Sequence, residues 1–206
     1  CLVGSEMCKE TGTDAAAATE LRKILAQDLP TVIDADALTL LARSTSLRRT
    51  VAEHPLTFLP RHEGDFPRLY EATFGSSLHA ATGWSRALRE LAEELNSIIL
   101  LKGRLTRVTA PGQPIYSFNA GHSFTATPGS GDVLSGILGA VIAQLSATAS
   151  SPSPTEIITE VLHAGAIQAH AAAIAAETPE GFALCSASQI AAAIPQAIAR
   201  LLNAER

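Results

Sequence analysis

Apolar and polar positions along the chain fall into two kinds of stretch. Short runs of consecutive aliphatic or β-branched residues at 31–33 and 97–101 are typical of buried strands, and Phe58-Leu59-Pro60 is a further short extended piece. Longer stretches with apolar residues three or four positions apart predict helices. These helices are expected at 13–27, 37–42, 84–95, 132–145, 156–176 and from Ser186 or Ser188 to Leu202.

The segments between these elements carry turn and capping residues. Thr13 or Asp14 is placed to cap the first helix, and Pro111-Gly112 predicts a β-hairpin between 107–110 and 114–118. Polar or small residues predict a turn at 61–66 and loops at 75–82 and 146–154. Because strands alternate with helices throughout, we expect a mainly parallel sheet with helices on both faces, in a single domain covering residues 1–206.

Composition and charge narrow the class of protein. Of 206 residues, 47% are hydrophobic and 17% are charged, which is typical of a globular chain and not of a disordered one. The formal net charge of -5 gives a nucleic-acid partner no electrostatic support. No apolar run reaches the ~20 residues of a membrane span, and no targeting peptide is visible, so we expect a cytoplasmic protein without a membrane partner. Cys1, Cys8 and Cys185 are odd in number and form no CxxC, which favours reduced thiols.

The strongest candidate for chemistry is the glycine-rich stretch from Asn119 to Gly136, which leads directly into an apolar helix. Backbone N–H groups at such a helix N-terminus suit a phosphate, and Asp132 at the same point could take a proton from a hydroxyl. A plain turn in which Asp132 caps the helix stays open as the alternative. The stretch has no Gly-Lys-Ser/Thr of a Walker A loop, and the residues around Ser130 do not form a nucleophile elbow.

Other polar residues stand near the ends of predicted strands. Lys102 follows a buried strand and could meet a nucleotide phosphate, although a surface lysine before a turn is the simpler account. Asp34 and Asp36 would point to opposite sides if their strand continued, so only one is expected to face a site. His62 could bind a polar ligand or merely be solvated, and His122 is ambiguous. HExxH is absent, which excludes that type of zinc protease.

Taken together, these segments resemble the ADP-dependent (S)-NAD(P)H-hydrate dehydratases of the ribokinase-like superfamily. The order and spacing of the matching segments carry the resemblance, because none of them is specific alone. The matching segments are Pro30 to Leu38, His62 to Phe66, Leu100 to Gly103 with Thr106, Gly129 to Gly136, Leu162 to Ala166 and Ser186 to Ile190.

The resemblance implies a three-layer α/β/α ribokinase-like fold and repair of hydrated NADH and NADPH, called NAD(P)HX. A hydroxyl of the damaged ring is phosphorylated by ADP, or by ATP in eukaryotic relatives, and phosphate is then eliminated. Mg²⁺ is expected with the nucleotide, and we also expect a homo-oligomer. The family's earlier strand–helix units have no counterpart before Cys1, so the fold is expected to be N-terminally incomplete.

Roles for individual residues also follow from the resemblance. Asp132 would contact the hydrate and act as the base for its hydroxyl, while His62 would lie against the hydrated dinucleotide. The amides of Gly129, Ser130 and Gly131 would form the anion hole for the transferred phosphoryl group. The adenine nucleotide would lie against Lys102, Gly103, Arg104, Leu105, Thr106 and Gly131. No protein ligand for a metal is implied.

Several positions depart from the family pattern. Gly4-Ser5-Glu6-Met7 stands where the family has a Gly-Pro-Gly turn, and Thr39 replaces an asparagine. Pro60-Arg61-His62 replaces Thr-Pro-His, and the acid beyond it is Asp65 instead of Glu. Two alternatives therefore stay open: a ribokinase-like kinase for a small alcohol, and a non-catalytic nucleotide-binding fragment or assembly subunit.

Overall fold

The computed structural model describes residues 6–8, 12–78, 83–103, 105–119, 123–149 and 151–204. The strands are β1 (Glu6–Cys8), β2 (Thr31–Ile33), β3 (Thr57–His62), β4 (Ile98–Lys102), β5 (Thr106–Thr109), β6 (Tyr116–Phe118), β7 (Glu177–Thr178) and β8 (Gly181–Phe182). The helices are α1 (Ala15–Leu25), α2 (Asp36–Arg43), α3 (Thr45–Glu53), α4 (Phe66–Phe74), α5 (Trp84–Glu94), α6 (Ser130–Thr148), α7 (Pro154–Ala176) and α8 (Ala187–Ala204). A short 3₁₀ turn covers Ser123–Thr125.

Six strands form one sheet in the order β1-β2-β3-β4-β5-β6. The strands β1 to β4 run parallel, whereas β5 and β6 pair antiparallel. The predicted hairpin is confirmed, since Arg107 pairs with Ser117 and the connection passes through Gly112 with φ of +68°. The sheet is therefore mainly parallel, as the alternation of elements predicted.

Side-chain alternation along the strands directs two apolar layers to opposite faces of the sheet. Ile33 and Leu59 pack with the buried residues of α1 to α5. Their neighbours Val32 and Phe58 pack with α6 and α7 on the other face. Helices on both faces complete the three-layer α/β/α arrangement that the sequence predicted.

The helices α6 and α7 are apolar on nearly all sides. Each is long and apolar enough to cross a membrane by length and composition, a property shared by core helices of soluble proteins. Both pack against the sheet, and the outer side of α7 is covered by α8 through small residues such as Ala172 and Ala197. Burial on two sides explains their composition.

Capping residues set where several helices begin. Asp14 Oδ1 accepts from Ala17 N–H at 2.8 Å, which confirms one of the two predicted caps of α1. At the start of α8, Ser186 Oγ accepts from Gln189 N–H at 3.3 Å. At α7, Ser153 and Glu156 form a reciprocal capping box, which the sequence analysis did not predict.

The structure corrects several predicted boundaries. The helices α3 and α4 were not predicted, although Ser44 caps α3 and Leu47 and Val51 are buried at helical spacing. The predicted turn at 61–66 was wrong at its start, because Arg61 and His62 belong to β3. Hydrogen bonding to β4 extends β3, with His62 opposite Lys102.

The start of α6 was also predicted two residues too late. Gly129, with φ of +81°, takes the N-cap position, and α6 begins at Ser130. Asp132 is therefore the third helical residue, and the alternative in which it caps the helix was wrong. At its other end α6 continues to Thr148, which shortens the predicted loop at 146–154.

Candidate functional site

The C-terminal ends of three parallel strands bring three charged or polar side chains to one edge of the sheet. Asp34 follows β2, His62 ends β3 and Lys102 ends β4. By strand alternation, His62 and Lys102 share the face of Phe58 and Leu100, which is the face that α6 and α7 cover. Open α/β sheets bind ligands at this edge.

The Lys102 ammonium is fixed by an ion pair and by the start of α6. Its Nζ lies 3.4 Å from Asp34 Oδ2, and the lysine side chain is 23% exposed. Asp34 is buried and also accepts from Ser135 Oγ at 2.8 Å. A positive charge is thus held in a fixed place with one side open to solvent, which suits a phosphate oxygen.

Gly131 lets the start of α6 approach this lysine. A Cβ added to Gly131 would lie 3.3 Å from Lys102 Nζ. The first turn of α6 and the Lys102 ammonium therefore face the same small volume, where the partial positive charge of the helix N-terminus adds to that of the lysine. Ser130 N–H donates to Thr127 O at 3.2 Å, so an anion bound there would share this amide with a backbone carbonyl.

A cleft of about 660 Å³ opens between these elements and α7. Six of the residues singled out from the sequence line it. They are His62, Lys102, Gly103, Thr106, Ser130 and Gly131. Its volume falls in the range of ordinary small-molecule sites.

Glu63 forms one rim of the cleft. Its amide donates to Lys102 O at 3.2 Å, and its Oε1 lies 3.3 Å from Arg107 Nη1 on β5. A Cβ at Gly103 would collide with this carboxylate, at 2.5 Å from Oε1. The absence of a side chain at Gly103 therefore leaves room for Glu63 to lie over the strand end.

The opposite wall of the cleft depends on a glycine in the middle of α7. A Cβ on Gly165 would overlap the ring of Phe118, so glycine at this position lets the ring from β6 rest on the helix. One turn further, Gln168 Nε2 donates to Ser130 O at 2.6 Å. These two contacts join α7 to β6 and to the start of α6.

A second, smaller cavity of about 240 Å³ lies at the same sheet edge, over α2 and α4. Asp34, Asp36 and Arg61 line it, and it shares His62 and Lys102 with the larger cleft. The prediction that only one of the two aspartates faces a site was wrong, because β2 ends at Ile33 and the strand alternation does not reach them. Asp36 instead begins α2.

Arg61 is a buried cation in this second cavity. The residue is 2% exposed, and its Nη2 donates to Asp65 O at 2.7 Å. Burial lowers the pKa of Arg61 to about 10, against the opposing effects of Asp65 and Asp34. The guanidinium therefore stays charged at neutral pH.

Other residues singled out from the sequence are not on the walls of these cavities. Gly129, Leu105 and Asp132 are exposed and line neither of them. A Cβ on Gly129 would lie 3.7 Å from Asp132 Oδ2, so this carboxylate lies over the start of α6. Arg104 and His122 lie outside the described residues. Among the residues that are described, no group of three or more His, Cys, Asp or Glu side chains could hold a metal ion.

Sequence reasoning assigned no site role to several residues of these walls, among them Arg61, Phe118 and Gln168. It also assigned none to Arg107, which pairs with Glu63 at the rim. A glycine inside the long apolar stretch at 156–176 was a usable signal, because it indicates a close approach by another element. The partner that makes this approach, Phe118, is distant in sequence. Nothing in the sequence alone pairs Arg107 with Glu63.

Comparison with known proteins agrees with this architecture. A family model described as NAD(P)H-hydrate dehydratase matches residues 10–195. The bifunctional NAD(P)H-hydrate repair enzyme Nnr of Corynebacterium glutamicum is 39% identical over 203 residues, which cover 92% of this chain and 35% of the relative. The chain thus spans about a third of the length of that curated relative.

Solved structures share the fold. The ADP/ATP-dependent NAD(P)H-hydrate dehydratase of Bacillus subtilis, co-crystallised with ATP and Mg²⁺ and soaked with CoA, matches with a TM-score of 0.70 at 21% identity, over 96% of this chain and 66% of that chain. A ribokinase-like superfamily protein of Enterococcus faecalis matches with a TM-score of 0.66 at 22% identity, over 92% and 60% of the two chains. The sheet and its helical layers are thus ribokinase-like, and by the match over residues 10–195 the chain belongs to the NAD(P)H-hydrate dehydratase family.

Proposed function

We propose that this chain carries out the nucleotide-dependent dehydration of hydrated NADH and NADPH. The observation that carries the proposal is the Lys102 ammonium, which is paired with Asp34 and lies against the Gly131 position at the start of α6. Family membership supplies the reaction, and this geometry supplies a fixed positive site for a phosphate.

The proposed reaction has two steps, phosphorylation of the ring hydroxyl and elimination of phosphate. The ring hydroxyl oxygen attacks the terminal phosphorus of ADP, AMP leaves, and the hydroxyl proton passes to a base. The carbon–oxygen bond of the phosphorylated ring then breaks, phosphate departs with the bonding electrons, and loss of a proton from the neighbouring carbon restores the double bond. Positioning and charge stabilisation are most of what such a phosphoryl transfer requires.

We assign the residues of the larger cleft to the nucleotide. Lys102, Gly103, Arg104, Leu105, Thr106 and Gly131 would bind it, with the ammonium of Lys102 directed at the phosphates. The amides of Gly129, Ser130 and Gly131 at the positive end of α6 would stabilise the phosphoryl group in flight. Support comes from the lining of the cleft, which includes most of this set.

The hydrate would bind between the start of α6 and the end of β3. Asp132 would accept the hydroxyl proton, and His62 would lie against the dinucleotide. Asp132 is exposed over the start of α6 and near the amides of the proposed anion hole, which suits a base that meets a bound hydroxyl. His62 lines both cavities, so a ligand at either one can contact it.

Magnesium fits this arrangement as a partner of the nucleotide. No cage of three or more metal-binding side chains is present among the described residues. Mg²⁺ in nucleotide sites usually takes one or two carboxylates together with phosphate oxygens and water. The nucleotide phosphates would therefore be its main ligands, and the ion would neutralise part of their charge.

We also infer a single domain over residues 1–206, a homo-oligomer and a cytoplasmic location. The continuous six-stranded sheet supports one domain. Exposed apolar side chains support self-association, above all Leu184 at 98% exposure and Phe182. Light scattering of the wild type and of Leu184→Ser tests this, because an oligomer built on this surface should weaken in the variant.

The proposed function is tested by incubating the protein with NADHX, Mg²⁺ and either ADP or ATP while NADH absorbance is followed. Recovery of NADH supports the proposal. The rates with ADP and with ATP show which nucleotide the protein prefers. Nucleotide binding without recovery would indicate a non-catalytic nucleotide-binding protein. Phosphorylation of small alcohols without recovery would indicate a kinase.

A further inference from the structure

Arg61 has more hydrogen-bond donors than the described residues satisfy. Its Nη2 donates to Asp65 O, but Nε and Nη1 are buried and have no hydrogen-bond partner among the described residues. A guanidinium carries five N–H groups, and Nε and Nη1 hold three of them. Unsatisfied buried donors on a charged group are costly, so an acceptor is missing from this site.

Two of the three carboxylates that line this cavity have other partners. Asp34 Oδ2 accepts from Lys102 and Ser135, and its Oδ1 accepts from Ala35 N–H at 2.8 Å. Asp36 Oδ2 accepts from Gly12 N–H at 3.2 Å. Asp65, the third, is exposed, and none of the three accepts a hydrogen bond from Arg61 Nε or Nη1.

A second arginine faces the same space. Arg68 of α4 is exposed and lines the smaller cavity together with Arg61 and Lys102. Repulsion from Arg68 adds to burial in lowering the pKa of Arg61, against Asp65 and Asp34. An anion between the two arginines would relieve this repulsion and supply the missing acceptor.

We propose that the cavity over α2 and α4 is a phosphate subsite, in which Arg61 and Arg68 bind a phosphate group of the hydrated dinucleotide while its ring lies beside His62. The proposal rests on the proposed function for the identity of the ligand. A volume of about 240 Å³ admits a phosphate group.

Binding measurements distinguish failure of the phosphate subsite from failure of the proposed function. Wild type, Arg61→Lys, Arg68→Met and the control Arg49→Met are titrated by calorimetry with NADHX in the presence of saturating AMP, and separately with inorganic pyrophosphate. Arg49 is an exposed residue of α3 outside both cavities, so its variant controls for loss of a surface charge.

We expect Arg61→Lys to weaken NADHX binding at least about tenfold and Arg68→Met about threefold, because charge-assisted hydrogen bonds are lost. The AMP affinity of every variant should stay within about twofold of the wild-type value. Arg68→Met removes an exposed side chain and keeps the test valid if Arg61→Lys unfolds. NADHX binding as tight in both site variants as in wild type would overturn the subsite.

The pyrophosphate titration covers the case in which wild type binds no hydrate. Pyrophosphate binding that weakens in Arg61→Lys and Arg68→Met would then support the subsite while contradicting the proposed function. Pyrophosphate binding that is absent, or equal in all four proteins, would overturn the subsite as well.

Discussion

The two cavities at the sheet edge differ in how their polar groups are satisfied. In the larger cleft, Glu63 pairs with Arg107 and Gln168 bonds to the start of α6. Lys102, which both cavities share, pairs with Asp34 of the smaller cavity. In the smaller cavity, two nitrogens of Arg61 have no partner among the described residues. The groups named for the first site satisfy one another, whereas the proposed phosphate would supply acceptors for Arg61 in the second. Pre-organised groups favour transition-state stabilisation, and a buried donor without a partner gains a hydrogen bond when an acceptor binds.

The largest effect is expected from Asp132→Asn at the start of α6, next to Gly131 of the larger cleft, because it removes the proposed base and keeps the shape of the residue. Turnover of NADHX should fall by about 10²–10⁴-fold, as expected for loss of general-base catalysis. AMP affinity from calorimetry should be nearly unchanged. Glu94→Gln, an exposed acid on α5, serves as the matched control. Normal turnover by Asp132→Asn would remove this residue from the mechanism.

The next largest effect is expected from Lys102→Met, which removes the cation of the Lys102–Asp34 ion pair. Affinity for ADP should fall about 10- to 100-fold, because a charge-assisted contact to phosphate is lost. The variant also leaves Asp34 buried without its cation, so the double variant Lys102→Met/Asp34→Asn should be more stable to urea than the single one. Lys23→Met on the exposed face of α1 is the control. Unchanged ADP affinity would mean that Lys102 does not contact the nucleotide.

A smaller effect, on stability alone, is expected at the wall of the larger cleft. Gly165→Ala should lower the free energy of unfolding by about 1–3 kcal/mol, because its Cβ would overlap the Phe118 ring. Gly136→Ala in α6 is the matched control, since nothing lies within 4 Å of its Cβ position. That change should stabilise the protein by up to about 1 kcal/mol through helix propensity. Equal effects in urea denaturation would show that Phe118 does not pack as described.

The smallest effect concerns His54, at the opposite edge of the sheet from both cavities. Burial lowers the pKa of His54 below its ordinary 6.5, although Asp28 opposes this. Its contribution to stability is therefore complete above pH 6.5 and is lost as the pH falls through the lower folded-state pKa. His54→Asn should flatten the decline of urea midpoints in that range. If the urea midpoint fell as steeply with pH in His54→Asn as in the wild type, the decline would be due to other titratable groups, including those of the cavities.

Much of the fold could be predicted because strands and helices leave periodic apolar patterns. The strand at 31–33, the helix at 84–95 and the hairpin at Gly112 were found at nearly their observed places. The helices α3 and α4 were missed, since α3 buries only Leu47 and Val51 and α4 begins in a polar turn. Short helices that depend on tertiary packing leave a weak pattern.

The candidate site could be predicted where residues follow strand ends, and not where distant elements meet. Lys102 and Gly131 were both singled out, and the structure brings them together. The ion pair of Lys102 with Asp34 and the contact of Phe118 with Gly165 join residues far apart in sequence. Arg61 was noted only as a departure from a pattern, because its burial and missing acceptors appear only in three dimensions. The catalytic roles themselves stay predictions.

The order of the six strands has a consequence for how the chain assembles. Among the described residues, each strand of the main sheet pairs with the strand that precedes or follows it in the chain, and no later strand is inserted between two earlier ones. Connections between neighbours keep the loop-closure entropy of each pairing low, so this order favours pairing of adjacent strands before distant parts of the chain meet.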